Sequence, residues 1–284
     1  MSADRDPASP DQPSPNPGPA NPARSVTARA LALLGAFDVD HPRLTLTELS
    51  RRAGLPLATV HRLARELEQW RALDRDDRGR YGVGLRVWEM GMLAPVHSRL
   101  REVALPYLLS LHAETGLNIQ LAACDGFDAV YVEKLTSSHS APTASRVGGR
   151  MPLHATAAGK ALLAFQSPAF VEALLQRPLA RYTPHTVTDR PTLRRSLDRI
   201  RRDGYATTRQ EYREGASGVA VPVLARAEVV ACVGLLSTTL RADLARFLPS
   251  LRAAAAGIAA RLEAAGDEPF PGLDRSSGLP FIER

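Results

Sequence analysis

The side chains that could do covalent or metal chemistry are few and scattered. Seven histidines stand at 41, 61, 97, 112, 139, 154 and 185, and two cysteines at 124 and 232, with no HxxxH or CxxC pair among them. No metal site is therefore expected, and two cysteines cannot build a disulfide framework. A phosphate-cradling GxxxxGK[ST] loop would need glycine where His154 stands and a hydroxyl where Ala161 stands. Ser217, in Gly215-Ala216-Ser217-Gly218-Val219, lacks the GxSxG spacing of a nucleophile elbow. His154 has no acid partner evident nearby, and a ring bonded to backbone outweighs catalysis there. No catalytic residue and no cofactor is expected.

The residues that can read another molecule are concentrated near the N-terminus. Between 57 and 70, Val60, Leu63, Leu67 and Trp70 recur on one helical face. Thr59, His61, Arg62, Arg65 and Gln69 fall on the other. These types suit a DNA groove: arginine pairs with guanine in two bonds, His and Gln reach base edges, and Thr meets backbone or a thymine methyl. Arg75, Arg78 and Arg80 surround a turn at Asp76-Asp77-Arg78-Gly79 and can lie along phosphates. The bland alternative is a solvated charged face, since Glu66 and Glu68 share that helix. A second candidate is Met151 to Lys160, a loop entering a helix whose first turn is all small residues. Free amides and the positive dipole end make such a start a seat for a carboxylate; close helix-to-sheet packing is the other reading.

The elements that must position these residues follow from periodicity and caps. A first helix is expected over 25–38, from Val26, Ala30, Leu33, Leu34 and Phe37. Thr45-Leu46-Thr47-Glu48 fits a capping box for a second helix that Gly54 and Pro56 terminate. After a four-residue break comes the third helix, then a hairpin of Ala72-Leu73 and Tyr81-Val83. This order is a winged helix-turn-helix. A joint helix over 85–98 carries Leu85, Trp88, Met92 and Val96 on one side, and packing against a second copy of the chain would cover it.

Beyond residue 100 the pattern becomes mixed. A helix bearing Leu105, Leu108, Leu109 and Leu111 ends at Gly116, and two hairpins are expected at 118–134 and 219–236. Helices lie between them at 156–165 and 193–202, and another closes the domain at 240–264. The class is α+β with an antiparallel core. The domain reading is a proline-rich disordered tail over 1–24, the winged helix-turn-helix over 25–84 and a linker helix over 85–99. An effector domain over 100–265 and a second tail over 266–284 complete it.

Composition fits that division. The 284 residues are 44% apolar and 23% charged, as in globular chains. With no long uncharged apolar run and an acidic, proline-rich start, neither a membrane span nor a secretory signal is expected, and the reading is a cytoplasmic protein with reduced thiols. Residues 24–100 carry thirteen arginines against nine acids, the densest basic stretch of a chain with net charge +6. Nearly every base is arginine, so charge by itself argues only modestly for nucleic acid.

The sequence resembles the IclR family of bacterial transcriptional regulators from about Ser25 to Glu263. In the reading head the likeness rests on Leu46-Thr47-Glu48-Leu49, Ala53-Gly54-Leu55-Pro56, Thr59-Val60-His61-Arg62-Leu63, Arg80-Tyr81 and Gly84-Leu85. In the second domain it rests on Pro152-Leu153-His154-Ala155-Thr156-Ala157, Gly159-Lys160-Ala161-Leu162-Leu163-Ala164 and Ile200 to Ala206. The resemblance implies a GAF-like effector domain, no catalysis, a homodimer or dimer of dimers on a palindromic operator in double-stranded DNA, and a small organic-acid effector. It places the effector around His154, Thr156, Ala157 and Ala158, with Thr208, Gly218, Leu235 and Ser237 from the late strands.

This chain departs from relatives that bind small keto acids, which carry Asp, Cys and Ser where Thr208, Gly218 and Leu235 stand. The exchanges remove polar anchors and add room, so an aromatic carboxylate such as a hydroxybenzoate is expected, with its acid on the helix-start amides. Arg146 is a second expected carboxylate partner. Repression of a catabolic operon is the expected outcome, with ligand altering how two reading heads are spaced. An enzyme acting on a small carboxylate, with the N-terminal helices as a dimerisation module, is the rival reading. A constitutive architectural DNA binder is disfavoured, because it leaves the second domain without a role.

Overall fold

The computed structural model describes residues 25–38, 40–93, 99–137, 146–237 and 244–264. The expected tails, Val96, His97 and His139 lie outside them. The chain divides after Leu93 into two compact units.

The first unit begins with α1 (Val26–Leu34), capped by the Ser25 hydroxyl, which accepts from the Ala28 amide. The helix stops short of the expected residue 38 because Asp38 is engaged elsewhere. Its carboxylate accepts from the His41 amide at 2.8 Å and pairs with Arg52, fixing a turn. Next, α2 (Leu46–Ala53) starts on the expected capping box between Thr45 and Glu48 and ends at Gly54, whose φ of 65° only glycine adopts cheaply. Residues 54–56 separate it from α3 (Leu57–Gln69), a break one residue shorter than expected. Val60, Leu63 and Ala64 bury the inner face of α3 against Leu33, Leu49 and Ala53. Trp70 does not join them. It closes α3 and stays 42% exposed, with the Arg86 guanidinium 4.5 Å over its ring, and Ala64 takes the core position instead.

The wing pairs β1 (Leu73–Arg75) with β2 (Tyr81–Val83), and Leu44 bridges Tyr81 through two backbone hydrogen bonds as a third rung. Then α4 (Leu85–Met92) begins the joint helix, and 94–98 lie outside the described residues. No residue of α4 is buried: Leu85, Trp88 and Met90 are more than half exposed.

In the second unit, α5 (Arg101–Thr115) leads into the hairpin of β3 (Asn118–Asp125) and β4 (Asp128–Leu135). After β5 (Arg150–Pro152) come α6 (Ala157–Ala164), α7 (Pro168–Gln176) and α8 (Arg190–Asp203). Then β6 (Ala206–Arg209), β7 (Ser217–Ala225) and β8 (Glu228–Ser237) precede a 3-10 turn at Leu244–Phe247 and α9 (Leu248–Ala264). Pro249 sits in the first turn of α9, where its missing N–H costs nothing, so that helix starts later than expected. Similarly, α8 starts earlier than expected because Asp189 caps the Thr192 amide at 2.9 Å.

All six strands form one antiparallel sheet in the order β5-β4-β3-β8-β7-β6, which makes the class α+β. Both faces are buried, and alternation assigns each side chain to one of them. Val219, Val221, Val223, Ile119 and Leu121 pack under α5 and α9; Ala220, Ala122, Tyr131 and Cys232 pack under α6, α7 and α8. The strands β5 and β6 were not expected, being too short for alternation to register. Helix α7 was legible in Ser167-Pro168 with Val171, Leu174 and Leu175, and was missed.

Candidate functional site

Helix α3 exposes His61, Arg62, Arg65 and Gln69 to solvent, with Thr59 half-buried in its first turn. Arg62 pairs with Glu66 at 2.7 Å, both side chains 55% exposed, so releasing it toward a base costs at most about 1 kcal/mol. At the wing, Arg78 is exposed and its guanidinium makes no hydrogen bond among the described residues. Arg80 is committed: its guanidinium meets the Asp76 carboxylate at 3.0 Å, while the amides of Arg78 and Arg80 donate to the other oxygen. The Arg80 amide is the largest of the contacts holding the Asp76 carboxyl below its usual range. Arg80 therefore shapes the turn that presents Arg78. Arg75 stacks over Tyr81 at 5.5 Å.

In the second unit a cavity opens between α6 and the sheet, enclosing about 670 Å³ of space when the solvent at its mouth is included. Its floor follows the register: Thr208, Gly218 and Leu236 stand abreast across β6, β7 and β8, and Gly234 pairs with Gln120 of β3 beside them. Gly218 sits at a close approach: a Cβ there would lie 3.2 Å from the Ala157 Cβ, so any side chain would press on the start of α6. Over the floor, Thr156 caps α6 by accepting from the Gly159 amide at 3.0 Å and donates to the Pro152 carbonyl. Tyr131 and Tyr212 supply aromatic walls, and burial pushes the Tyr131 phenol well above its usual range.

The remaining wall is the segment from Gln210 to Ala216. The Thr183 hydroxyl donates to the Gln210 carbonyl and the Thr186 hydroxyl to the Glu211 carbonyl, each at 2.6 Å. Behind it, Lys160, only 2% exposed, puts its ammonium 2.7 and 2.6 Å from the two oxygens of Glu211. A charge this deep is tolerable only with such a partner.

Six expected effector residues meet at this cavity: Thr156, Ala157, Ala158, Thr208, Gly218 and Leu235. Leu235 does so through its backbone, for its side chain is in the α5/α9 core, and the neighbours Gly234 and Leu236 face the cavity. Three expected residues, Ser237, Arg146 and His154, do not line the cavity. Ser237 shares the far face with Leu235 by strand alternation. Arg146 is exposed, its carbonyl closing a turn with the Gly149 amide. His154 is one shell behind: Nε2 donates to the Ala180 carbonyl at 2.9 Å, and its ring backs Tyr182, which backs Tyr212. The sequence reading missed Gln120, Tyr131, Glu211, Tyr212 and Arg213. The one signal for them was Lys160, a charge among small apolar helix residues that demands a buried acid somewhere.

Among the described residues no three His, Cys, Asp or Glu side chains gather as a metal set, and no helix is long and apolar enough to cross a membrane. A chain carrying both a basic helix-turn-helix and a second unit with a cavity over its sheet fits a DNA-binding transcriptional regulator of the ligand-responsive class. Residues 26–77 match the IclR helix-turn-helix domain, and residues 93–260 match the family described as bacterial transcriptional regulator IclR C-terminal. The chain belongs to the IclR family.

Among its relatives, the HTH-type transcriptional regulator XynR of Escherichia coli strain K12 is 33% identical over 82% of this chain and 95% of its own length. The p-hydroxybenzoate hydroxylase transcriptional activator of Acinetobacter baylyi is 30% identical over 79% and 87%. An IclR homolog from Microbacterium hydrocarbonoxydans, solved as a complex with 4-hydroxybenzoate, superposes with a TM-score of 0.80 at 34% identity, covering 84% of this chain and all of that one. These relatives are regulators, which sets aside the enzyme reading.

Proposed function

We propose that this regulator senses an aromatic carboxylate, a hydroxybenzoate or close analogue, and controls a catabolic operon from a palindromic operator in the cytoplasm. The observation that carries the effector class is the cavity floor. The small residues Gly218, Gly234, Ala157, Ala158 and Ala216 line the cavity together with the rings of Tyr131 and Tyr212. An aromatic ring can pack against such a lining, whereas a two- or three-carbon keto acid offers it little apolar surface. The names of two relatives support the same class, one bound to 4-hydroxybenzoate and one an activator of p-hydroxybenzoate hydroxylase.

On DNA, Thr59, His61, Arg62, Arg65 and Gln69 meet the major groove while Arg78, on the turn Arg80 braces, meets phosphate. The apolar face of α4, with Leu85 and Trp88 more than 60% exposed, supports a homodimer, which a dimer of dimers extends. Effector binding alters the spacing of the two reading heads, and the expected sense of control is repression, which a promoter–reporter fusion reads directly.

The test is calorimetry on the full chain. Hydroxybenzoates should bind, and glyoxylate and pyruvate should not; tight binding of the keto acids with no binding of hydroxybenzoates would refute the effector class. Operator affinity that is the same with and without a bound effector would refute the switching role.

A further inference from the structure

We propose that Arg213, carried on the strap from Gln210 to Ala216, is the residue that recognises the effector's carboxylate, and that the cavity admits ligands of one negative charge. The inference rests on the aromatic-acid reading above and deepens it, because the sequence pointed instead to the amides at the start of α6.

The strap is a closed turn. The Gln210 amide donates to the Ala216 carbonyl at 2.6 Å, the Gly215 amide donates to the Gln210 side-chain oxygen at 3.0 Å, and Gln210 itself holds a left-handed φ of 56°. Thr183 and Thr186 pin its base from outside, and the Tyr212 ring leans on Tyr182 with centroids 4.9 Å apart. Such a turn is preorganised: its backbone is held before ligand arrives, so that binding has only side-chain rotamers left to order.

Charge decides what those side chains can accept. Glu211 is the one acid among the described lining residues, and Lys160 answers it completely, with both carboxylate oxygens engaged. Arg213 is the one cation among them. It is exposed at the mouth, and its guanidinium makes no hydrogen bond or ion pair among the described residues. The wall therefore carries one unanswered positive charge, in the planar fork that fits a carboxylate with two parallel bonds. The α6 start is the weaker seat. It offers about half a unit charge, and its Gly159 amide is already held by Thr156. A second carboxylate on the ligand would find Glu211 and no further cation, so dianions are excluded.

The experiment titrates the full chain by calorimetry with 4-hydroxybenzoate, its neutral isostere 4-hydroxybenzamide, and the dianion terephthalate, in wild type, Arg213→Gln and Arg213→Lys. Wild type should bind the acid at least tenfold tighter than the amide or terephthalate. Arg213→Gln should lose about 10- to 100-fold on the acid, leave the amide nearly unchanged and so erase the preference, while Arg213→Lys recovers part of it. Melting of the unliganded variants should match wild type, because the side chain bonds nothing in the fold. Arg213→Gln that keeps the acid-over-amide preference overturns the assignment and returns the carboxylate to the α6 amides. Terephthalate binding as tightly as the monoacid overturns the single-charge limit. A wild type that binds none of the three shows, before any variant is tested, that the aromatic-acid reading itself has failed, and the proposal falls with it.

Discussion

Replacing Lys160 by methionine isolates what the buried ion pair contributes. With Lys160 2% exposed and Glu211 11%, the substitution leaves a carboxylate facing the cavity interior with no cation to answer it. Removing one partner of a buried pair costs about 3–5 kcal/mol, most of it the penalty on the survivor. Glu211→Gln should cost a similar amount by stranding the ammonium. The double variant Lys160→Met/Glu211→Gln should recover most of the loss, because no charge is left buried. Both tryptophans, Trp70 and Trp88, lie in the first unit, so their fluorescence does not report on this one. Thermal and urea unfolding followed by far-ultraviolet circular dichroism are the assays, and the single variants should melt about 6–20 °C lower for a unit of this size. The charge argument extends to binding: Lys160→Met should weaken 4-hydroxybenzoate at least tenfold, since Glu211 is then unscreened in the same wall. A Lys160→Met protein within about 0.5 kcal/mol of wild type would refute this account, as would a double variant no better than the worse single.

Three further outcomes can be checked. Arg62→Ala should weaken operator binding by about 1–3 kcal/mol in fluorescence anisotropy while sparing random DNA; equal losses on both would reduce it to a phosphate contact. Trp88→Glu, on the exposed face of α4, should shift the sedimentation profile toward monomer, and an unchanged profile would mean that the face is not the interface. Burial chiefly holds the His154 imidazole below its ordinary value of 6.5, and the Lys160 charge adds to this against the Ala180 hydrogen bond. The unfolded chain thus takes the proton first, so this stability is whole above 6.5 and is lost as pH falls below it, until the folded ring protonates too. His154→Gln keeps an N–H for the Ala180 carbonyl and should flatten the fall in urea midpoint between about pH 7 and 5.5. The carboxyls of Asp38, Glu48, Asp76 and Asp189, all held low, contribute only further into acid.

What could be read from the chain is what short-range chemistry decides. The capping box at Thr45 and Glu48, the stop at Gly54, the stripe through Val60 and Leu63 and the two sheet hairpins each involve residues a few positions apart. Their energetics are complete within a turn or a strand pair, so the helix-turn-helix and the α+β class were legible. The apolar runs of the late strands marked them as a hairpin but did not say which face the cavity takes; Leu235, carried over from the resemblance, turns its side chain to the other face, and Gly234 and Leu236 face the cavity.

The cavity's polar wall was decided by tertiary structure. Lys160 advertised that a buried acid must exist, yet Glu211 lies 51 residues away, in a segment with no periodicity to place it. Tyr212 and Arg213 reach the ligand space only because β6 pairs with β7 and two threonines from a distant loop clamp the strap. Arg146 and His154, better candidates by residue type, were turned outward by a backbone turn and drawn back by the Ala180 carbonyl. Local propensity ranks residues by what they could do. Which of them share a cavity depends on long-range pairing, whose free energy is spread over the whole sheet and written in no single stretch of sequence.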